Sequence, residues 1–373
     1  MMPILRRTAR TAMCLALGLA ILTTAGCKGC SSTEEEDAQT EKEKDEKQKK
    51  PPVELSALTP LLGQELSEDQ GEQTGPRLLV KPGHWMPTVQ RMKANYQDFL
   101  LSNSSTLVDD NRQPVRLPST QFTFEVERPV VLAKGREKSI AGEVFVPQDS
   151  DATRLSAEFI NREGGVLQIE QVPKLERMPS YQYFLQVLAT EPSRYAFLKV
   201  TDTVRNEWEE EYDATTEPHY RVALNDATRE LPLATSALQW TSVAVLVWDE
   251  VDPTRLTEEQ QLALVDWLHW GGRLIINGPD SLETLRGSFL DELLPVDGKG
   301  PRSVSASDLR GWSAYWGKRV SGEEIPPLEP VKPISGIELA PRENARELVG
   351  GGGLFYECNV GRGTIVVSSI QLA

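Results

Sequence analysis

The spacing of hydrophobic positions changes several times along the chain, and each change predicts a different kind of element. Met13–Leu22 is an unbroken apolar run behind Arg6, Arg7 and Arg10. About ten residues is half of what a helix needs to cross a roughly 30 Å hydrocarbon core, so the run predicts a leader that is removed, ending at residue 26. Ser31–Lys50 then hold almost no apolar residue, and Glu, Lys and Asp alternate. Such a stretch cannot bury enough surface to offset the entropy of ordering it, so 27–52 reads as a solvated spacer. A helical Glu/Lys rod over part of it would serve the same end. Residues 53–117 read as a lead-in. Lys81-Pro82-Gly83-His84-Trp85 suggests a turn, and Val89, Met92, Tyr96, Phe99 and Leu100 fall at helical spacing, which predicts a helix over Met86–Leu101.

From Gln121 the period becomes two. Phe122, Phe124 and Val126 alternate with Thr123 and Glu125. Short runs follow at Glu143–Val146, Leu155–Ile160, Val166–Val172, Tyr181–Leu188 and Tyr195–Val200, separated by turn residues such as Lys134-Gly135, Gly164-Gly165 and Pro179-Ser180. Strands with turn residues about every ten positions predict an antiparallel, immunoglobulin-like β-sandwich over 118–217. The acidic run Glu207–Asp213 reads as an exposed loop near its end.

Near His219 the pattern changes again. Tyr220–Leu224 predicts a strand. Val243–Trp248 is continuously apolar, as expected of a strand buried on both faces of a parallel sheet, and it ends in Asp249, Glu250 and Asp252. Thr257-Glu258-Glu259-Gln260 fits a capping box, and the helix it opens should stop at Gly271-Gly272. Arg273–Asn277 is the next strand, Gly278-Pro279 a turn, and Asp280 or Ser281 a cap for a helix running to Leu294. After a long insertion, Leu354–Tyr356 and Gly363–Val367 predict a hairpin around Gly361-Arg362-Gly363. Strand, helix, strand, helix is the rhythm of an α/β domain, so 218–373 are expected to form a doubly wound, flavodoxin-like parallel sheet after the all-β sandwich.

Composition narrows the function. About 320 residues remain beyond leader and spacer, enough for two domains with cores of their own. The net charge of −15 becomes about −18 once a leader carrying Arg6, Arg7 and Arg10 is removed. No basic cluster marks the globular part, so no nucleic-acid partner is expected, and membrane attachment would fall to a lipid rather than to anionic headgroups. With three histidines (His84, His219 and His269) and no H-E-x-x-H, no zinc site and no cofactor are expected. Of the four cysteines, Cys14 leaves with the leader, and the spread of Cys27, Cys30 and Cys358 does not make a disulfide framework. Cys358 has no histidine near it in sequence and reads as a small buried hydrophobe rather than a nucleophile.

Thr24-Ala25-Gly26-Cys27, behind that short apolar run, resembles the lipobox of bacterial lipoproteins. The resemblance implies a lipid on the Cys27 thiol and a place in the cell envelope, on the periplasmic side of a membrane. The alternative is an ordinary secretory leader cut nearby, with Cys27 and Cys30 free or paired. Further on, Val243–Asp249, Leu256–Gln260, Leu264–Leu268 with Gly271–Ile276, and Gly361–Val367 together resemble the class I glutamine amidotransferase-like superfamily over roughly 218–373. Similar non-catalytic domains occur in secreted and membrane-anchored bacterial proteins, many from planctomycetes. The enzymes carry a cysteine nucleophile on a glycine-flanked elbow between a strand and a helix, with His and Glu partners towards the C-terminus. Here the elbow reads Gly278-Pro279-Asp280-Ser281, and no histidine follows His269. The resemblance therefore implies a fold without its activity.

Parallel sheets bind ligands beyond the carboxyl ends of their strands. That edge is expected to carry Asp249, Glu250, Asp252, Asn277, Asp280 and Ser281. These oxygens could hold Ca²⁺ or Mg²⁺, or could simply cap helices and solvate loops. The reading is a non-enzymatic, lipid-anchored binding or scaffolding module with an envelope protein as partner. The alternative is a metal-assisted hydrolase or carbohydrate-active enzyme working from this acidic edge.

Overall fold

Two kinds of sheet divide the molecule. The computed structural model describes residues 50–56, 58–62, 64–65, 77–148, 152, 154–171, 175–199, 219–227, 231, 233–317 and 326–373. The leader, Cys27, nearly all of the spacer and the Glu207–Asp213 run lie outside these residues.

The first half is antiparallel β. Strand β5 (Trp85–Ala94) carries β1 (Val53–Leu55) and β2 (Thr59–Pro60) along one edge and β8 (Glu137–Phe145) along the other. A second four-stranded sheet has the order β10 (Val166–Gln171), β9 (Arg154–Asn161), β6 (Phe99–Val108), β7 (Glu125–Leu132). Met92, Ala94 and Val144 of the first sheet share one core with Leu101, Leu107, Val130, Leu132, Leu155 and Phe159 of the second. A small sheet of β3 (Gln64–Glu65), β4 (Arg77–Val80) and β11 (Leu175–Arg177) adds Leu78, Val80 and Leu175 to that core.

The helix expected over Met86–Leu101 is instead the strand pair β5 and β6. Met86, Thr88, Gln90, Met92 and Ala94 are the inward positions of β5, a strict period of two. Two of them are polar, so the apolar letters alone fell at a false helical spacing. Thr88 lies against Gly142 of β8, and Gln90 donates to the Ser56 carbonyl at 3.0 Å. The all-β part therefore begins near residue 53 rather than 118.

It also ends earlier. Tyr183–Ala189, expected in the sandwich, is β12, a central strand of a seven-stranded sheet. The order is β13 (Tyr220–Asp226), β12, β14 (Val243–Asp249), β15 (Arg273–Ile276), β20 (Gly363–Ser368), β19 (Phe355–Val360), β18 (Arg346–Glu347). The first five run parallel, and the last two turn back antiparallel. The unbroken burial of Phe184–Ala189 is what a strand covered on both faces needs. Pro192–Lys199 is a 3-10 helix, not a strand.

One face of this sheet presents Phe184, Leu188, Leu246, Trp248, Leu274, Ile276, Ile365 and Val367 to helices α1 (Glu258–Trp270) and α2 (Gly278–Leu285). The other presents Leu185, Val187, Ala189, Val245 and Val247, against which Tyr195 of the 3-10 helix packs. Helix α1 opens on the expected capping box. The Thr257 hydroxyl accepts from the Gln260 N–H at 3.3 Å, and the Gln260 carboxamide oxygen accepts from the Thr257 N–H at 3.1 Å. It ends where Gly271 takes a φ of +127°. Trp240, Trp248 and Trp267 are buried, and each indole N–H donates to a backbone carbonyl, while Trp270 is half-exposed. Helix α2 stops at Leu285, well short of Leu294: Arg286 turns extended at ψ 130°, and Gly287 follows with φ +70°. The insertion forms a ribbon of β16 (Val296–Val304) and β17 (Ile334–Pro341) with helix α3 (Ala306–Trp316) between them. The expected closing hairpin is β19–β20, turning at Gly361-Arg362.

Candidate functional site

The carboxyl ends of β14 and β15 hold a buried polar cluster. Asp249, the last residue of β14, is 1% exposed. Its Oδ1 accepts from Asn277 Nδ2 at 3.1 Å and from Gln371 Nε2 at 3.1 Å, and the same Gln371 amide reaches Oδ2 at 3.3 Å. Asn277, directly after β15, is fully buried. Its Nδ2 also donates to the Tyr195 hydroxyl, and its Oδ1 accepts the Leu372 N–H at 2.7 Å. Burial, followed by the Asp249 charge and its hydrogen bond, pushes the Tyr195 phenol far above its ordinary range, so it stays protonated.

Ser281, one turn into α2, is fully buried, and its Oγ accepts the Glu250 N–H at 2.8 Å. Glu250 has φ +56°, the left-handed region that side chains other than glycine seldom enter. Its carboxylate lies 3.9 Å from Arg194, whose second Nη donates to the Ala373 carbonyl at 3.0 Å. Gly278, with φ +76°, forms the elbow between β15 and α2, and a Cβ there would lie 2.3 Å from Gln371 Oε1. Glycine is required on both counts.

Four of the six expected edge residues therefore meet: Asp249, Glu250, Asn277 and Ser281. Asp252 and Asp280 do not join them. Asp252 caps the 3-10 turn Pro253–Arg255, accepting the Thr254 hydroxyl at 2.7 Å and N–H at 2.9 Å, and the hydroxyl bond above all holds its carboxyl below the usual range. Asp280 is exposed in the first turn of α2 and does not cap it; the N-cap is Asn277, which makes no side-chain capping bond. Among the described residues, no cluster of three or more His, Cys, Asp or Glu is placed to hold a metal ion. One buried carboxylate among neutral donors is too few ligands for a hard-cation cage.

Pro279 and Asp280 follow Gly278 in the first turn of α2. His269 lies on the last turn of α1, its Nδ1 2.9 Å from the Val265 carbonyl. His219 stacks on Tyr181, and His84 packs edge-on to Tyr183. The Cys358 thiol is buried and donates to the Leu293 carbonyl at 3.2 Å, and burial raises its pKa. No helix among the described residues is long and apolar enough to cross a membrane.

Sequence reasoning missed Arg194, Tyr195, Gln371 and Leu372. Tyr195 sat in an expected sandwich strand. Gln371 and Leu372 follow the last strand, where no local pattern marks a return to the sheet edge.

No protein-family model and no curated protein matches the chain. Solved structures align over parts of it only. The alkylpurine DNA glycosylase AlkC of Pseudomonas fluorescens is 10% identical over 34% of this chain and 31% of its own, with a TM-score of 0.20. This chain thus spans about a third of that protein. A Niemann-Pick type C2 protein from the Japanese carpenter ant is 10% identical over 33% of this chain and 92% of its own, with a TM-score of 0.21. A family 123 glycoside hydrolase from Clostridium perfringens is 11% identical over 40% of this chain and 32% of its own, also at 0.21. At these scores the likenesses carry no argument about this chain.

Proposed function

We propose that the chain is a lipid-anchored binding or scaffolding module of the cell envelope. Its lipid would sit on Cys27, and its α/β domain would be catalytically silent. The observation that carries the second part is the state of the carboxyl edge. Asp249, Asn277 and Ser281 are buried and hydrogen-bond to one another, to Tyr195, to Gln371 and to the backbone, which supports an edge without catalysis. Strand order β13-β12-β14-β15-β20 in the parallel part is the 2-1-3-4-5 order of flavodoxin-like sheets, which supports the doubly wound reading. The two antiparallel sheets over one core support an immunoglobulin-like sandwich ahead of it.

Two experiments test the reading. Cys27→Ser should abolish metabolic labelling by a fatty-acid probe and release the protein from membranes; a variant still membrane-bound would overturn the anchor. The purified chain should hydrolyse neither glutamine nor a model ester above background. Turnover lost on Ser281→Ala or Cys358→Ala would overturn the silent-domain reading.

A further inference from the structure

Gln371–Ala373 lie outside every strand and cross the carboxyl ends of the parallel sheet, where such sheets bind ligands. Their contacts there resemble those of a captured peptide. The Leu372 N–H is taken by Asn277 Oδ1 after β15, and the Ala373 carbonyl by Arg194 after β12. These are backbone contacts that any extended peptide could make. One side chain adds selectivity: the Gln371 amide donates to Asp249, a buried carboxylate at the end of β14, in the space left by Gly278. Leu372 is itself 40% exposed, while Ala373 packs against the core that holds Leu185, Val187 and Tyr195.

We propose that this crevice is a binding site for an extended peptide, occupied by Gln371–Ala373 as the chain's own stand-in for that ligand. The preferred peptide places an N–H or O–H donor side chain against Asp249, its next backbone N–H on Asn277 and the following carbonyl on Arg194. A partner segment of this kind displaces Gln371–Ala373 to bind. The inference rests on reading this edge as a binding surface rather than a catalytic one. The two fail separately, because hydrolysis assays report on catalysis and peptide binding reports on the crevice alone.

The test uses the full chain and a fluorescein-labelled Ser-Ile-Gln-Leu-Ala peptide, read by anisotropy. Gln371→Glu sets a carboxylate against Asp249 and should release the native segment. The peptide should then bind the variant at least tenfold more tightly than the unmodified chain. A peptide with Glu in place of Gln should bind the variant at least tenfold more weakly than the original peptide. A variant that melts cooperatively yet binds no peptide, or binds both peptides alike, overturns the proposal. Should Gln371→Glu fail to fold, amide exchange in the unmodified chain decides. Millimolar peptide should speed exchange at Leu372 several-fold and leave Val367 unchanged; no change at Leu372 overturns the proposal.

Discussion

Lys81 joins the small β3–β4–β11 sheet to the parallel sheet, and its ammonium makes the junction sensitive to pH. The side chain is 4% exposed. Nζ donates to the carbonyls of Ser180 at 2.7 Å and Gln182 at 2.6 Å and lies 3.8 Å from the centre of the Tyr183 ring. Carbonyl dipoles and a ring face replace water only in part, so burial lowers the pKa from 10.5 to about 8. Below pH 8 both folded and unfolded chains carry the proton, and this group gives stability no slope. Between 8 and 10.5 the unfolded chain holds the proton and the folded chain has lost it. Stability therefore rises with pH, by about 1.4 kcal/mol per pH unit and about 3 kcal/mol across the window. Lys81→Met removes the term. Urea unfolding of both proteins from about pH 7 to about pH 11 should show the unmodified chain gaining about 3 kcal/mol relative to the variant. Taking the difference cancels the titration of groups common to both. Curves that stay parallel within about 0.5 kcal/mol would refute the reasoning, as would a gap that closes as pH rises.

His84 is expected to act on the acid side. Burial first, and the Lys81 charge second, lower its pKa to about 4, against a bond to the Thr241 backbone that raises it. The unfolded chain takes up the proton earlier, so stability should fall as pH drops from 6.5 towards 4, and His84→Gln should flatten that fall in melting curves. Lys81→Met should also raise the His84 pKa, which an NMR titration of the ring would read. Thr257→Ala removes half of the capping box on α1 and should cost about 1 kcal/mol in urea unfolding. Gly278→Ala forces a side chain into a left-handed elbow and against Gln371, and it should cost at least about 1 kcal/mol while speeding amide exchange at Leu372.

The readable parts of the sequence were those in which every local cue agreed. Val243–Trp248 is apolar throughout, Thr257 and Gln260 flank a helix start, and Gly271 and Gly361 stand where the chain must turn left-handed. The unreadable parts had cues set by partners distant in sequence. Thr88 and Gln90 face inward because Gly142 and the Ser56 carbonyl receive them, so β5 looks polar at its own inward positions. Phe184–Ala189 was legible as a strand but not as a member of the parallel sheet. A run with one side set by β13 and the other by β14 looks, within seven residues, much like a sandwich strand. Similarly, the sequence extends α2 nine residues too far because Ser288–Leu294 keep the apolar composition of the helix beyond the turn at Arg286-Gly287.

At the carboxyl edge the same division has a consequence for function. The sequence placed carboxylates there and left their use open between a cation and the protein itself. What decides between these is whether the oxygens converge, and convergence depends on the turns after the strands. Glu250 takes a left-handed conformation at a cost of order 1 kcal/mol, and its N–H thereby reaches Ser281 and ties the end of β14 to α2. Its side chain is turned to Arg194, while Asp252 is drawn off to cap Pro253–Arg255. Asp249 is left as the single buried carboxylate, surrounded by amide and phenol donors instead of other carboxylates. A neutral donor set of this kind meets the Asp249 oxygens with hydrogen bonds. It also suits the N–H groups of a peptide, and Gln371 and Leu372 bring two of these to the cluster. The strained Glu250 is, on this proposal, the device that keeps the edge shaped for a peptide strand.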